Sequence, residues 1–188
     1  MFKFNRKRLL IKDIFQKYES YLNNEIEICG WIETIRVQQQ NGLGFISLND
    51  GSTINSIQLI LNPKTDEELN KLDDIYKKGT KGVSIKVKGK LIESPAEGQK
   101  FELQVMELDV YGEVNGAEYP IAKKKLTLDH IRKFPHLRIR TKTMAAIMRI
   151  RDSCAFATHK FYKDNDFKYI HTPIITGNDC EGAGETFK

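Results

Sequence analysis

A period-two alternation of apolar residues, interrupted by a single helix, constrains the fold of this chain more than any other feature. The alternation predicts strands over residues 24–37, 45–48 and 54–61. A capping box at residues 65–68 (TDEE) and an apolar stripe then predict a helix, after which strands resume near residues 83–88 and 101–110. Three strands, a helix and two strands are the layout of a five-stranded, all-β OB-fold barrel. We therefore predict that fold for residues 24–112.

Two local features accompany the barrel pattern. Leu10, Ile14, Tyr18 and Leu22 recur at i, i+4 spacing, which predicts an amphipathic N-terminal helix within residues 1–23. Gly30 interrupts the first strand, and this predicts a bend or bulge at the glycine.

The alternation also assigns side chains in the second and third strands to the two faces of the barrel. If Leu59 faces the core, Gln58 points outward with an amide that is able to pair with a base edge. Phe45 offers a stacking surface for a base, although a core aromatic is the simpler alternative. Because OB barrels often present this face to oligonucleotides, the two residues together favour a nucleic-acid surface.

The same argument applies to the fifth strand. Phe101 and Leu103 are expected to turn inward, so that Glu102 and Gln104 turn out. Taken singly, each outward group is equally consistent with an ordinary polar surface residue.

A basic zone follows the barrel. Residues 121–151 hold one acid, Asp129, against ten basic residues, in a chain whose net charge is +5. The ten are Lys123, Lys124, Lys125, Arg132, Lys133, Arg138, Arg140, Lys142, Arg149 and Arg151. Such a zone favours sequence-independent contact with a phosphate backbone, and its alternative is a solvated linker over residues 113–142.

The remaining residues, 143–188, contain a long helix and an acidic loop. Apolar spacing predicts the helix over residues 143–165, long enough to support a domain or a subunit interface. A strand ending at Pro173 is expected next, and then Glu181 and Glu185 flank a Gly-Ala-Gly run. A carboxylate on such a loop suits the ammonium of an amino acid, and the alternative is a solvated surface loop.

Several classes of site are disfavoured by the composition. Three widely spaced cysteines without a CxxC motif suggest reduced thiols, and four histidines at no metal-ligand spacing indicate no metal site. No apolar run reaches 18 residues, so we expect no membrane span and a cytoplasmic protein. The weakly basic N-terminus leaves organellar targeting open.

Residues 136–141 (HLRIRT), 159–162 (HKFY) and 167–187 together resemble the class II aminoacyl-tRNA synthetases of the aspartyl, asparaginyl and lysyl subgroup. Within that subgroup, residues 172–187 (TPIITGNDCEGAGETF) are most similar to the asparaginyl type of bacteria and organelles. Gly30-Trp31-Ile32 and the strands that follow resemble the subgroup's N-terminal anticodon-binding OB domain. Residues 143–188 would then be the start of an α+β class II catalytic domain.

The resemblance implies specific roles. It assigns Phe45 to stacking on an anticodon base, Gln58 to hydrogen bonding near the central uridine, and Arg36 and Glu102 to lining the anticodon pocket. It places the long helix and Pro173 in motif 1, which builds a homodimer interface. It matches Glu181 to the carboxylate that grips the amino acid's α-ammonium, and it transfers no role to Glu185.

The resemblance also implies an activity: ATP-dependent attachment of asparagine to its tRNA through an aminoacyl-adenylate. The family's motifs 2 and 3, which bind ATP and Mg²⁺, lie downstream of the amino-acid loop, so we expect their binding residues and the catalytic residues to be missing from these 188 residues. We therefore expect this polypeptide alone to be inactive. Two alternatives stay open: a tRNA-binding protein without catalysis, and the aspartate-specific relative.

Overall fold

Five strands close into a barrel in the order β1-β2-β3-β5-β4. The structure is a computed structural model that describes residues 8–38, 42–77, 81–121 and 126–177. The strands are β1 (Glu25–Val37), β2 (Gly44–Asn49), β3 (Ile57–Leu61), β4 (Ser84–Glu93) and β5 (Phe101–Gly112). The helices are α1 (Ile11–Lys17), α2 (Asp66–Lys77), α3 (Leu128–Arg132) and α4 (Lys142–Asp164), with short 3-10 turns at Tyr18–Ser20 and Arg138–Arg140.

The strand pairing is that of an OB fold, and it confirms the predicted fold class. β1 pairs antiparallel with both β2 and β4, and β2–β3 and β4–β5 are also antiparallel. Among the described strands, only β3 and β5 pair parallel. In the chain, α2 and β4 lie between these two strands. This pairing leaves no open edge in the five-stranded sheet.

The barrel core is built from branched aliphatic residues on the inward face of every strand. Ile28, Ile46, Leu59, Val87 and Leu103 are all 0% exposed. Burying each such side chain contributes about 1.5–3 kcal/mol, so this alternation supplies the main driving force for the barrel.

Helix α1 covers one part of that core. Ile11 and Ile14 are 0% exposed and belong to the barrel's hydrophobic cluster. Tyr18 stacks on Phe101 with ring centroids 5.3 Å apart, and Phe15 meets the same ring edge-on at 5.0 Å. The helix is shorter than predicted, because the chain tightens into the 3-10 turn and Asn23 then adopts φ 62°.

The β2–β3 connection caps α1. The Ile11 amide donates to Asp50 Oδ2 at 3.0 Å, and the Lys12 amide donates to Ser52 Oγ at 3.0 Å. Asp50 is itself buried and accepts from the Ser52 amide through Oδ1 at 2.9 Å. These bonds satisfy N-terminal amides that a helix cannot pair internally.

The predicted bulge at Gly30 is wrong. The register of β1 against β2 shifts between Ile32 and Thr34. Gly30 stays in regular pairing, and its absent side chain serves close packing instead: a Cβ there would lie 2.6 Å from the Asn49 carbonyl oxygen.

The residues after β5 pack on the barrel. Ile121 is 0% and Ile131 is 3% exposed. A Cβ on Gly82, which has φ +94°, would lie 2.7 Å from Tyr119 Cζ. Helix α3 begins at a Thr127 cap, whose hydroxyl accepts from the His130 amide at 3.2 Å.

The chain divides into two units, Met1–Ala146 and Ile147–Lys188. In the second, α4 ends in a Schellman motif, because Asp166 has φ 65° and the Phe167 and Asp166 amides donate to the Tyr162 and Lys163 carbonyls at 3.0 and 3.2 Å. The ring of Tyr169 meets His159 edge-on at 4.9 Å.

The strand predicted up to Pro173 is wrong. Residues 167–177 are exposed, and no strand is assigned to them. A strand exists only when another strand accepts its backbone hydrogen bonds, and no described residue pairs with this segment. None of the described helices is long and apolar enough to cross a membrane.

Candidate nucleic-acid interface

The strand register places one row of outward residues across four neighbouring strands. Arg36 pairs with Phe45, Phe45 with Ile60, and Ile60 with Gln104. Directly paired residues project to the same face of a sheet, and neighbouring strands lie about 4.8 Å apart. The row therefore spans about 14 Å on one face of β1, β2, β3 and β5.

A second row lies two residues along from the first. Thr34 pairs with Ser47, and Ser47 pairs with Gln58. Because Leu59 pairs with Leu103 in parallel, one step back along both strands puts Glu102 beside Gln58. The structure thus brings Arg36, Phe45, Gln58 and Glu102 onto one face, named here the strand face. Which partner each residue binds stays a prediction.

Phe45 lies on the outward side of the barrel. The neighbouring Ile46 is 0% exposed and Phe45 is half-buried, so successive residues of β2 alternate as predicted. Phe45 belongs neither to the buried core nor to the residues packed against it, so the core-aromatic alternative is excluded. Arg36, its direct neighbour on β1, is exposed and supplies a cation.

Gln58 also lies where the alternation predicted. Its neighbours Ile57 and Leu59 are 1% and 0% exposed, whereas Gln58 is half-buried. An amide in that position offers both a donor and an acceptor to a base edge.

Glu102 lies on the outward side of β5 as predicted, but solvent does not reach it freely. Its carboxyl group is on the strand face, but the residue is only 7% exposed. Ser94 Oγ donates to Glu102 Oε2 at 3.0 Å, and Gln99 Nε2 donates to the same oxygen at 3.3 Å. The turn between β4 and β5 therefore covers the carboxyl group, which alternation within β5 does not reveal.

Sequence reasoning missed Ser47, Ser94 and Gln99. Ser47 is two residues from Phe45 on the same strand, so the alternation that selected Phe45 would have found it. No period in the chain links Ser94 and Gln99 to Glu102, because these two residues lie in a turn.

The opposite side of the barrel carries a ladder of paired charges. Lys86 lies 3.1 Å from Asp109 and 3.8 Å from Glu27, and Lys88 lies 3.2 Å from Glu25. Glu107 completes the ladder 3.7 Å from Lys88. The hydrogen bond to Asp109 raises the pKa of Lys86, and the bond to Glu25 raises the pKa of Lys88. Because each lysine is already matched with two acids, the ladder is a poor site for a phosphate.

Part of the basic zone makes contacts within the chain. Arg132 lies 3.2 Å from Asp129. The Arg140 guanidinium lies 4.4 Å from the Trp31 ring centroid and donates to the Tyr119 hydroxyl at 3.4 Å. Lys123, Lys124 and Lys125 lie outside the described residues, and their contact with phosphate stays a prediction.

The predicted amino-acid loop is also outside the described residues, including Glu181 and Glu185. Pro173, predicted at a dimer interface, lies in the exposed 167–177 segment. No group of three or more His, Cys, Asp or Glu side chains able to hold a metal occurs among the described residues. Burial raises the pKa of the Cys29 thiol.

Two family models match the chain. Residues 26–111 match the OB-fold nucleic acid binding domain of the tRNA anticodon type. Residues 127–188 match the class II tRNA synthetases for aspartate, lysine and asparagine (D, K and N).

Similar proteins agree with both matches. An asparagine–tRNA ligase of Desulfitobacterium hafniense is 45% identical over 95% of this chain and 37% of its own length. That of Clostridium kluyveri is 40% identical over 97% of the chain and 38% of its own length. The crystal structure of asparaginyl-tRNA synthetase from Pyrococcus horikoshii complexed with asparaginyl-adenylate superposes with a TM-score of 0.77 at 20% identity, over 95% of this chain and 39% of that one. The chain thus spans little more than a third of the length of these relatives.

Proposed function

We propose that this chain, which belongs to the class II tRNA synthetases of the aspartate, lysine and asparagine group, provides the anticodon-binding part of an asparagine–tRNA ligase. The observation that carries the proposal is the strand face. One stacking ring, one amide, one guanidinium and one carboxyl group lie together there, on a barrel that matches the anticodon-binding family. The relatives at 40–45% identity favour asparagine over aspartate.

Each group on the strand face has a distinct role in this proposal. Phe45 stacks on an unpaired anticodon base, an interaction worth about 1–3 kcal/mol per base in single-strand binding proteins. Gln58 pairs with the Watson–Crick edge of a neighbouring base, and Glu102 accepts from a base N–H. Arg36 lies beside Phe45 and contacts a phosphate or a base.

We propose the ligase reaction for a protein of the relatives' full length and not for these 188 residues by themselves. Class II synthetases use ATP and Mg²⁺ to form an aminoacyl-adenylate. The described residues hold no group of three or more His, Cys, Asp or Glu side chains that could bind Mg²⁺. Glu181 gripping the α-ammonium of asparagine, and a homodimer formed through α4 and Pro173, belong to the same proposal.

We further propose that these 188 residues alone do not activate asparagine. Most of the relatives' length has no counterpart in them. Asparagine-dependent exchange of pyrophosphate into ATP measures the activation step directly. Exchange by the isolated polypeptide above a no-protein blank would contradict this proposal.

The anticodon assignment is tested by binding of RNA hairpins. Fluorescence anisotropy would compare the anticodon arm of an asparagine tRNA with arms in which one anticodon base is changed. We expect the chain to prefer the asparagine arm, and Phe45→Ala and Gln58→Ala each to weaken its binding by about tenfold.

Gln16→Ala is a matched control, because Gln16 is exposed on α1 and lies on no strand of the barrel. Gln58→Ala should weaken binding to the asparagine arm much more than it weakens binding to the changed arms. Equal losses on all arms, or no preference in the unmodified chain, would remove the anticodon assignment.

A further inference from the structure

The buried carboxyl group of Glu102 uses only one of its two oxygens. Both hydrogen bonds that it accepts, from Ser94 Oγ and from Gln99 Nε2, end on Oε2. Oε1 has no hydrogen bond among the described residues, although Glu102 is only 7% exposed. Buried carboxylate oxygens are rarely left without a donor, so an unoccupied one in a binding face points to a ligand.

The turn that covers Glu102 is ordered by its own hydrogen bonds. Ser94 Oγ accepts from the Ala96 amide at 3.2 Å and from Gln99 Nε2 at 3.3 Å. The Ser94 amide donates to the Lys100 carbonyl at 3.2 Å, and Gly98 adopts φ +84° at the tip. Ser94 and Gln99 are therefore held in place before any ligand arrives.

We propose that Ser94 and Gln99 are positioning residues that hold Oε2 of Glu102 and so present Oε1 to an N–H donor on an anticodon base. We name this trio the Ser94–Gln99–Glu102 clamp. The inference rests on the proposed function and deepens it, since it assigns specificity to a turn outside the strand face. Two donors on Oε2 leave Oε1 as an acceptor, so the clamp selects a base whose N–H lies opposite Oε1 and disfavours one whose lone pair lies there.

The position of Glu102 supports a base edge as the ligand. Register places it beside Gln58, two strands from Phe45. A base that stacks on Phe45, or the next base along the RNA, is thus within reach of both the Gln58 amide and the fixed Glu102 carboxylate. Water reaches this carboxyl group poorly, and a hydrogen bond to a charged group is worth about 1.5–3 kcal/mol, or about 10- to 150-fold in affinity.

The test measures discrimination rather than affinity alone. Four proteins would be titrated: the unmodified chain, Glu102→Gln, Ser94→Ala/Gln99→Ala, and a triple variant that combines all three substitutions. Each would be titrated with the asparagine anticodon arm and with three arms that each carry one changed base. Glu102→Gln should lose about tenfold in preference at one anticodon position and keep its preference at the others. The Ser94→Ala/Gln99→Ala variant should lose preference at that same position.

Non-additivity separates positioning from a merely structural role. If Ser94 and Gln99 act through Glu102, the triple variant should discriminate no worse than Glu102→Gln alone. Ser94→Thr, which keeps a hydroxyl group, should restore most of the preference that Ser94→Ala loses. Thermal unfolding of each variant shows whether the barrel is folded, and Gln16→Ala serves again as the neutral control.

The outcomes distinguish the two proposals. No preference among the arms in the unmodified chain would overturn the proposed function and the clamp with it. A different result would overturn the clamp alone: the unmodified chain shows the preference, Glu102→Gln loses it, and Ser94→Ala/Gln99→Ala keeps it. Equal loss on all arms, or additive losses in the triple variant, would likewise show that the turn does not position Glu102.

Discussion

The guanidinium of Arg140 lies 4.4 Å from the ring centroid of Trp31, the only tryptophan in the chain. Trp31 belongs to β1, and Arg140 comes more than a hundred residues later, at the end of the segment that follows the barrel. The same guanidinium donates to Tyr119, whose ring lies against Gly82. Two residues of the predicted basic linker, residues 113–142, thus contact the rest of the chain: Arg140 lies against Trp31, and Tyr119 lies against Gly82.

Replacing Arg140 should remove its contact with Trp31. We expect Arg140→Ala to cost about 0.5–2 kcal/mol, or several degrees in melting temperature, because it removes a cation–π interaction and a hydrogen bond. The fluorescence of Trp31 should shift to longer wavelength as its ring gains water. Arg132→Ala, whose partner Asp129 is exposed, is the matched control and should leave the emission unchanged. An unshifted emission in Arg140→Ala would contradict that contact.

Neutralising Lys123, Lys124 and Lys125 should change the salt dependence of RNA binding without changing preference among anticodon arms. For every phosphate that the chain no longer neutralises, the slope of log K against log salt should become shallower by about 0.7–0.9. Titrations at several salt concentrations measure that slope. An unaltered slope would return the three lysines to the role of a solvated linker, and a changed anticodon preference would place them at the bases instead.

Removing the carboxyl group of Asp50 should destabilise the barrel through α1. Asp50→Ala leaves the Ile11 amide and Ser52 without their acceptor, so we expect a loss of about 1–3 kcal/mol in the free energy of unfolding. Asp50→Asn keeps one acceptor oxygen and should lose less. Urea unfolding measures both, with Asp152→Ala on exposed α4 as the control. Equal stability of Asp50→Ala and the unmodified chain would rule out the cap.

Alanine at Gly30 should be poorly tolerated. The new methyl group would lie 2.6 Å from the Asn49 carbonyl oxygen and 3.0 Å from a Leu48 side-chain carbon, so β1 and β2 must move apart. We expect a loss of about 1–3 kcal/mol by urea unfolding. Gly177→Ala is the control, since nothing lies within 4 Å of its Cβ position. A Gly30→Ala chain as stable as the control would show that the strands accommodate the methyl group freely.

The charge ladder should contribute stability that disappears at alkaline pH. The pKa values of Lys86 and Lys88 are raised above 10.5 in the folded state by Asp109 and Glu25. A raised lysine pKa stabilises the fold below the unfolded value and loses that effect as pH rises through the folded value. The difference in urea midpoint between the unmodified chain and Lys86→Met/Lys88→Met should therefore shrink above about pH 10.5.

Lys90→Met provides the comparison for that titration, since no ion pair is seen for Lys90 among the described residues. A difference for the double variant that stays constant to about pH 12 would contradict the ladder.

Much of the strand face was predictable from local pattern. Alternation alone placed Gln58 outward beside buried Ile57 and Leu59, and it also identified the five strands. It succeeds because the side-chain direction reverses at every residue of a strand, which is a property of the backbone and needs no knowledge of neighbours.

The features that the sequence did not predict share a different physical origin. Alternation put Glu102 on the correct side, but its burial depends on Ser94 and Gln99 in the turn that folds over it. A glycine within a strand predicts a bend or bulge at Gly30, whereas the observed register shift depends on how β1 meets β2. The strand ending at Pro173 was inferred from residue type, although a ladder also requires a partner.

The sequence by itself therefore determined the barrel, its inward and outward faces and the chemical groups available on them. Only the tertiary structure decided which of those groups are neighbours, that one oxygen of Glu102 is held while the other is open, and that Arg140 binds Trp31. Side-chain direction is set within each residue's own backbone. Proximity and burial are set by strand register and loop packing between residues far apart in the chain, which no local period encodes.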